Sequence, residues 1–212
     1  LSTTIGTPTA FYTTLATGGT VTLTMTATET GGSGLEKYYA SKTSGSGSDV
    51  NGATSLALVV GSSYKITAKD HAGNTSSETY VSIVNDLAGP TGLTLKAGSG
   101  ATITGATSTN VAGPTTFYST TGSITFTTDA SASDNSGSGV QGYSLSDSSF
   151  GSITSTTVTN GNTATVYAWD NVNNKSTGAG VKVVTDSIAP KDFTAKPTAS
   201  SGIYPTPADA TP

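Results

Sequence analysis

The sequence predicts an all-β protein, two β-sandwiches in tandem, and three observations carry that expectation. Apolar residues alternate with hydroxyl-bearing ones over short stretches, as where Val21, Leu23 and Met25 are set among Thr22, Thr24 and Thr26. That is the period of a strand with one face inside and one outside. Turn signals rich in Gly, Asn, Asp and Ser separate these stretches at the spacing of a sandwich, and helical periodicity is nowhere sustained. The pattern is also written twice. Tyr64 to Pro90 reads as a strand (Tyr64, Ile66, Ala68), a polar turn at Asp70-His71-Ala72-Gly73-Asn74, a returning strand (Val81, Ile83) and Asp86-Leu87-Ala88-Gly89-Pro90. One hundred positions later Ala164, Val166 and Ala168 lead into Asp170-Asn171-Val172-Asn173-Asn174, then Val181, Val183 and Asp186-Ser187-Ile188-Ala189-Pro190.

Composition bounds the rest. A length of 212 residues suits two domains, each with a modest core. Charged residues make up 10% and the net charge is −4, which leaves no basic surface for nucleic acid. The Ser, Thr and Gly content would suit disorder, but low charge and regular apolar alternation favour folded β structure. No apolar run is long enough for a membrane-spanning helix. The sequence shows neither a signal peptide nor an initiator Met, as expected of a mature or cropped product. With no Cys, an exported protein must be held by its core, by metal or by its neighbours. Few Lys, abundant Thr and no Cys fit an extracellular bacterial or archaeal protein of the cell surface.

In chain order, the first unit opens with the Val21–Met25 strand, followed by a flexible loop at Gly31-Gly32-Ser33-Gly34 and a strand from Leu35 to Ala40. Leu56, Leu58 and Val60 supply the next strand, closed by Gly61-Ser62-Ser63. The second unit repeats the order. Ile124, Phe126 and Thr128 match Val21, Leu23 and Met25; Ser136-Gly137-Ser138-Gly139-Val140 matches Gly31 to Leu35; Tyr143 matches Tyr38. Upstream, Pro114 to Tyr118 matches Pro8 to Tyr12. This is a tandem duplication.

An SGL- or SGV-type loop, then strand-D-x-A-G-N-x-S, then strand-D-x-x-A-P resembles the bacterial Ig-like repeats of large surface adhesins and surface filament proteins. The second unit departs from that pattern at Val172-Asn173, and the first at Gly89, but the Asp residues stay in place. The resemblance implies two tandem Ig-like β-sandwich domains, 1–86 and 87–190, and a C-terminal strand-forming tail, 191–212. It also implies that the segment after D-x-x-A-P opens the following domain. Thr91 to Ala97, with Leu93 and Leu95 inward, then begins the second domain, and Lys191 to Pro197, with Phe193 and Ala195, is a spare counterpart. The first domain has no equivalent first strand. Either the chain is a stretch of a longer array, or subunits join head to tail, the tail adding a strand to the first domain of the next molecule. The latter contact need not close and generates a filament.

The acidic residues are the candidate metal ligands. In a sandwich of this connectivity the loop after the second strand, the turn after Asp70 or Asp170 and the incoming linker share one end. Asp86 should therefore approach Asp129 or Asp134 and Asp170; in the first domain the corresponding groups are Glu29 and Asp70, with Asp186 set for a following unit. Carboxylates with carbonyls and Asn side chains suit Ca2+, a hard cation taking oxygen ligands, and the resemblance implies calcium at such junctions. The bland alternative is that Asp70 and Asp170 only hydrogen-bond their own turns.

Other candidates are weaker. Asn74-Thr75-Ser76 and Asn174-Lys175-Ser176 are formal glycosylation sequons, but a turn that uses the positive-φ tolerance of Asn explains them as well. His71, the sole histidine, sits at a loop apex, which leaves a Ser-His-Asp or Cys-His arrangement almost nothing to work with. No insertion builds a cleft for paired catalytic carboxylates, and Gly45 to Gly52 lacks the Lys of a phosphate loop. The chain is therefore not expected to be an enzyme. Trp169 is a candidate sugar-stacking platform or a strand-end aromatic. The function expected is a structural unit of an extracellular microbial fibre or stalk, self-associating head to tail by strand addition and stiffened by calcium at domain junctions. The alternatives are a carbohydrate-binding adhesin module for a surface glycan, or an Ig-like region of an S-layer protein or secreted enzyme.

Overall fold

Alternating Thr, Val, Leu and Ile residues have high strand propensity and one oily face each, and they fold into strands throughout. The computed structural model describes residues 8–98, 107–109 and 114–192; fifteen strands and no helix lie among them.

The first seven strands are β1 (Thr9–Thr13), β2 (Thr20–Thr24), β3 (Leu35–Ser44), β4 (Val50–Gly52), β5 (Ser55–Val59), β6 (Ser62–Asp70) and β7 (Thr79–Asn85). They form a five-stranded sheet in the order β1-β7-β6-β3-β4 and a two-stranded sheet of β2 and β5. Tyr38, Leu56, Leu58, Tyr64, Ile66, Val81 and Ile83 pack between the sheets. The Tyr64 hydroxyl donates to a backbone acceptor or accepts from one, and here it accepts the Val59 N–H at 3.0 Å, so a polar tip is satisfied inside an oily core.

The remaining strands are β8 (Thr94–Ala97), β9 (Thr107–Thr109), β10 (Thr115–Ser119), β11 (Ser123–Thr128), β12 (Val140–Ser144), β13 (Ser155–Thr159), β14 (Thr163–Asp170) and β15 (Ala179–Thr185). Their sheets run β10-β15-β14-β12 and β13-β11-β8-β9. The core between them holds Leu93, Leu95, Phe117, Ile124, Phe126, Val166, Val181 and Val183. The Phe117 and Phe126 rings meet edge-on, their centroids 4.9 Å apart. The protein is thus all-β, built of Ig-like sandwiches.

Three features of the fold go beyond the sequence expectation. The segments after Pro8 and Pro114 are strands: β1 and β10 run parallel to β7 and β15 and close one sheet of each sandwich. Strand β3 continues past Ala40 to Ser44, paired on β6. A bulge at Leu35/Lys37 in β3, repeated at Val140/Gly142 in β12, sets Leu35 opposite Asp70 and Val140 opposite Asp170. The loop entering each of these strands is thereby laid against the Asp turn.

Strand β8 pairs antiparallel with β11, and Leu93 and Leu95 are buried as the alternation required. No described strand of the first sandwich takes the corresponding place beside β2. Val21 and Leu23 are accordingly half-buried, where their counterparts Ile124 and Phe126 are fully enclosed. Residues 1–7, and the tail from Phe193 onward with its expected strand, lie outside the described residues.

Candidate metal centre

The site begins with a turn made twice. Strand β6 ends at Asp70, whose carboxylate accepts the Asn74 N–H at 2.7 Å and the Asn74 side-chain amide at 2.8 Å. These bonds, the Asn74 side chain foremost, hold the Asp70 carboxyl below its ordinary pKa. Asp170 accepts the Asn174 N–H and amide at 2.7 Å each and the Val172 N–H at 2.9 Å. Both residues therefore organise their own turns. The left-handed residue is Gly73 in one (φ 93°) and Asn173 in the other (φ 69°), one position before the sequon Asn. Asn74 and Asn174 act through their side chains, not through positive φ. The Asn174 amide is committed to two acceptors, Asp170 and the Asp86 carbonyl at 2.9 Å, so glycan attachment there would cost a bond of the junction.

At Asp170 a larger constellation forms. The N–H of Asp86 donates to the Thr13 carbonyl at 2.8 Å and so extends the β1–β7 ladder. Its carboxylate reaches the other sandwich and accepts the Ser138 N–H at 2.7 Å. Asp134 lies in the loop after β11, held by a bridge between Thr91 and Ser133; its carboxylate accepts the Gly139 N–H at 2.7 Å. The donor atoms of Asp86, Asp134 and Asp170 all lie within 4.8 Å of one another. These residues are 5%, 9% and 0% exposed, respectively. No ion pair to any of the three occurs among the described residues. Burial pushes the Asp134 carboxyl above its usual range and the neighbouring charges of Asp86 and Asp170 add to this, while the Gly139 N–H opposes.

Asp129 does not join them. It follows β11 directly and turns back along the sheet, bonded by the Thr94 hydroxyl and the Ser131 N–H, with Lys96 at 3.8 Å. Burial would raise its pKa, but the Ser131 and Thr94 bonds outweigh that and the net direction is down. Of the two carboxylates the sequence left open, the loop residue reaches the junction and the strand-end residue serves the sheet.

In the first sandwich, Glu29 accepts N–H groups from Gly31, Gly32 and Gly34 at 2.5, 3.1 and 3.0 Å. Glu29 and Asp70 border one cavity of 260 Å³, but no third carboxylate among the described residues joins them. Asp186 repeats the backbone role of Asp86, its N–H donating to the Ser119 carbonyl at 3.0 Å, and its side chain is exposed.

Trp169 is 5% exposed and offers no open face for a sugar. Its strand partner Gly142 points to the same face. A Cβ on Gly142 would come within 3.1 Å of the Phe150 ring, so the loop after β12 covers this patch. His71 is exposed on its turn, as expected.

The donor set at Asp86, Asp134 and Asp170 fits a hard divalent cation. Three buried carboxylates face one another with backbone N–H groups to hold them and, among the described residues, no cationic partner, and an open cavity adjoins them. That space is a 430 Å³ cavity lined by Asp86, Gly89, Thr91, Asp134 and Ser136. Ser138, whose N–H holds Asp86, also has its Oγ buried with no hydrogen-bond partner among the described residues. The supporting roles of Asn174, Ser138 and Gly139 were not visible in the sequence beforehand, although their repetition as Asn74, Ser33 and Gly34 was the available signal.

No protein-family profile and no curated protein matches the chain. Among solved structures it is similar to the fibronectin(III)-like modules of Clostridium thermocellum CbhA, at 14% identity and a TM-score of 0.42, over 89% of this chain and 95% of that one.

Proposed function

We propose that this chain is a structural unit of an extracellular microbial fibre or stalk, two sandwiches whose junction is stiffened by calcium. The observation that carries this reading is the buried Asp86–Asp134–Asp170 cluster without a cationic partner among the described residues. Buried like charges repel strongly, and a chain that gathers three of them gains from a counterion. Calcium, when bound, would supply the positive charge that these oxygens lack.

The work of the site falls to the chain's own residues. Asp86 belongs by its backbone to the β1–β7 sheet and by its carboxylate to the Ser138 loop. Asn174 grips the Asp86 carbonyl and the Asp170 carboxylate together. Thr91 pairs with Ser133 immediately beyond. Tilting one sandwich against the other would break these bonds, so charge neutralisation at the triad is converted into resistance to bending. Ser-, Thr- and Gly-rich composition without Cys supports the extracellular surface placement. Thermal unfolding of the full chain tests the reading: calcium should raise the melting temperature, EDTA should reverse it, and Asp170→Asn should abolish the response. A melting temperature indifferent to calcium overturns it.

A further inference from the structure

Among the described residues the first sandwich leaves open a seat whose counterpart in the second is filled. There, residues 86–97 cross the end of the sandwich and enter its sheet. Gly89 lies so close to the Lys175 carbonyl that a Cβ would stand 2.0 Å from the oxygen. Leu93 and Leu95 are buried in the core, and β8 pairs with β11 through Leu95↔Thr128, Lys96↔Thr127 and Ala97↔Phe126. The equivalent surfaces of the first sandwich are Thr75 and the β2 edge at Leu23, Thr24 and Met25. Among the described residues nothing covers them. The 260 Å³ cavity beside Glu29, Asp70 and Thr75 adjoins a second, of 240 Å³, beside Met25, Tyr38 and Ile66; Ala27, Ala68 and Ser76 border both.

The sequence supplies an occupant. Residues 186–197 match residues 86–97 at a spacing of one hundred, with Asp, Pro, Thr and Lys identical at 86/186, 90/190, 94/194 and 96/196. Phe193 stands where Leu93 fills the core. Pro197 replaces Ala97, which an edge strand tolerates. Ala189 replaces Gly89, so the Thr75 carbonyl must lie farther from residue 189 than Lys175 does from Gly89; the cavity at Thr75 leaves room for that.

Reach rules out the chain's own segment. Asp186 is tied to Ser119 at the end of β15, and the seat lies at the far end of the first sandwich, beside the turn between β6 and β7. Laid end to end through the Asp86 junction, strands β7 and β15, seven residues each, measure about 45 Å at about 3.3 Å per residue. From Asp186 to Phe193 the chain spans at most about 25 Å. We infer that the groove between the β2 edge and the Asp70 turn is the docking site for residues 186–197 of a second copy of this chain, which add a strand beside β2. The contact is heterologous and repeats head to tail. It brings Asp186 of one copy to Glu29 and Asp70 of the next; calcium dependence of the contact rests on the proposed function, whereas strand docking does not.

Complementation tests it. Ala27, exposed and bordering both cavities, is changed in Ala27→Trp to block the seat, and Phe193→Asp spoils the occupant. Light scattering on the wild-type chain should show assembly that grows with concentration, and each variant alone should weaken it at least tenfold. An equimolar mixture should stop at a one-to-one dimer, since one partner keeps its seat and the other its segment. A wild-type chain that stays monomeric, variants that assemble like the wild type, or a mixture without dimer overturns the inference; melting curves establish that each variant folds. Assembly that persists in EDTA and is unaltered by Asp186→Asn sinks only the calcium reading of this contact.

Discussion

Replacing Asp134 by Asn should stabilise the chain in EDTA and destabilise it in calcium. The substitution keeps the side-chain size and an oxygen for the Gly139 N–H, but removes one of three facing charges. With donor atoms within 4.8 Å, each carboxylate pair repels by about 3 kcal/mol at an effective dielectric near 20. Solvent in the adjoining cavity and proton uptake by Asp134 trim this, leaving about 1–3 kcal/mol, the range of ordinary single substitutions. For a domain of this size that is roughly 5–15 °C in melting temperature. The pH dependence has a defined sign. Because the folded-state pKa of Asp134 is raised above 3.8, the folded chain holds more protons than the unfolded one between those two values. Wild-type stability in EDTA therefore falls as pH rises through that window; in Asp134→Asn this slope should be reduced. In calcium the order reverses, because a thousandfold excess over Kd stabilises the wild type by about 4.1 kcal/mol, more than the variant gains. Thermal unfolding followed by circular dichroism, with calcium or EDTA, reads both signs. A variant less stable than the wild type in EDTA at neutral pH would refute the reasoning, since the triad would then be held by its hydrogen bonds and not strained by its charge.

Other substitutions probe the same architecture. Gly89→Ala sets a Cβ 2.0 Å from the Lys175 carbonyl oxygen and 2.3 Å from its carbon, both backbone, so it should lower the second sandwich's melting temperature and loosen the junction in limited proteolysis. Asn174→Ala removes two side-chain bonds, a loss of about 1–3 kcal/mol by denaturant unfolding. Phe126→Ala, in a fully buried site, should cost about 3–5 kcal/mol. Leu23→Ala, its half-buried counterpart, should cost clearly less in the monomeric chain, and urea titrations of the two compare them directly.

Much of this fold was legible because the chain repeats itself. Val21/Leu23 and Ile124/Phe126 reveal one strand twice, and the shared Asp–Asn turn fixes which end of each sandwich bears carboxylates. That end-to-end logic sufficed to bring Asp86 towards Asp170. It did not separate Asp129 from Asp134, because that choice depends on where β11 stops and on Thr94 and Lys96 being available to hold Asp129. Nor did it give β1 and β10 their places: Phe11 and Phe117 sit in short apolar stretches, but a parallel pairing with the last strand of the sandwich is a long-range property. Trp169 defeats strand periodicity for a similar reason, since the Phe150 loop covers a face that alternation points outward.

The stiffened junction is tested most directly by counting ions on the intact chain. Native mass spectrometry of the monomer in calcium should find one tightly held ion, absent from Asp170→Asn. A monomer that carries no ion, or a variant that retains it, would contradict the assignment of Asp86, Asp134 and Asp170 as the cation site.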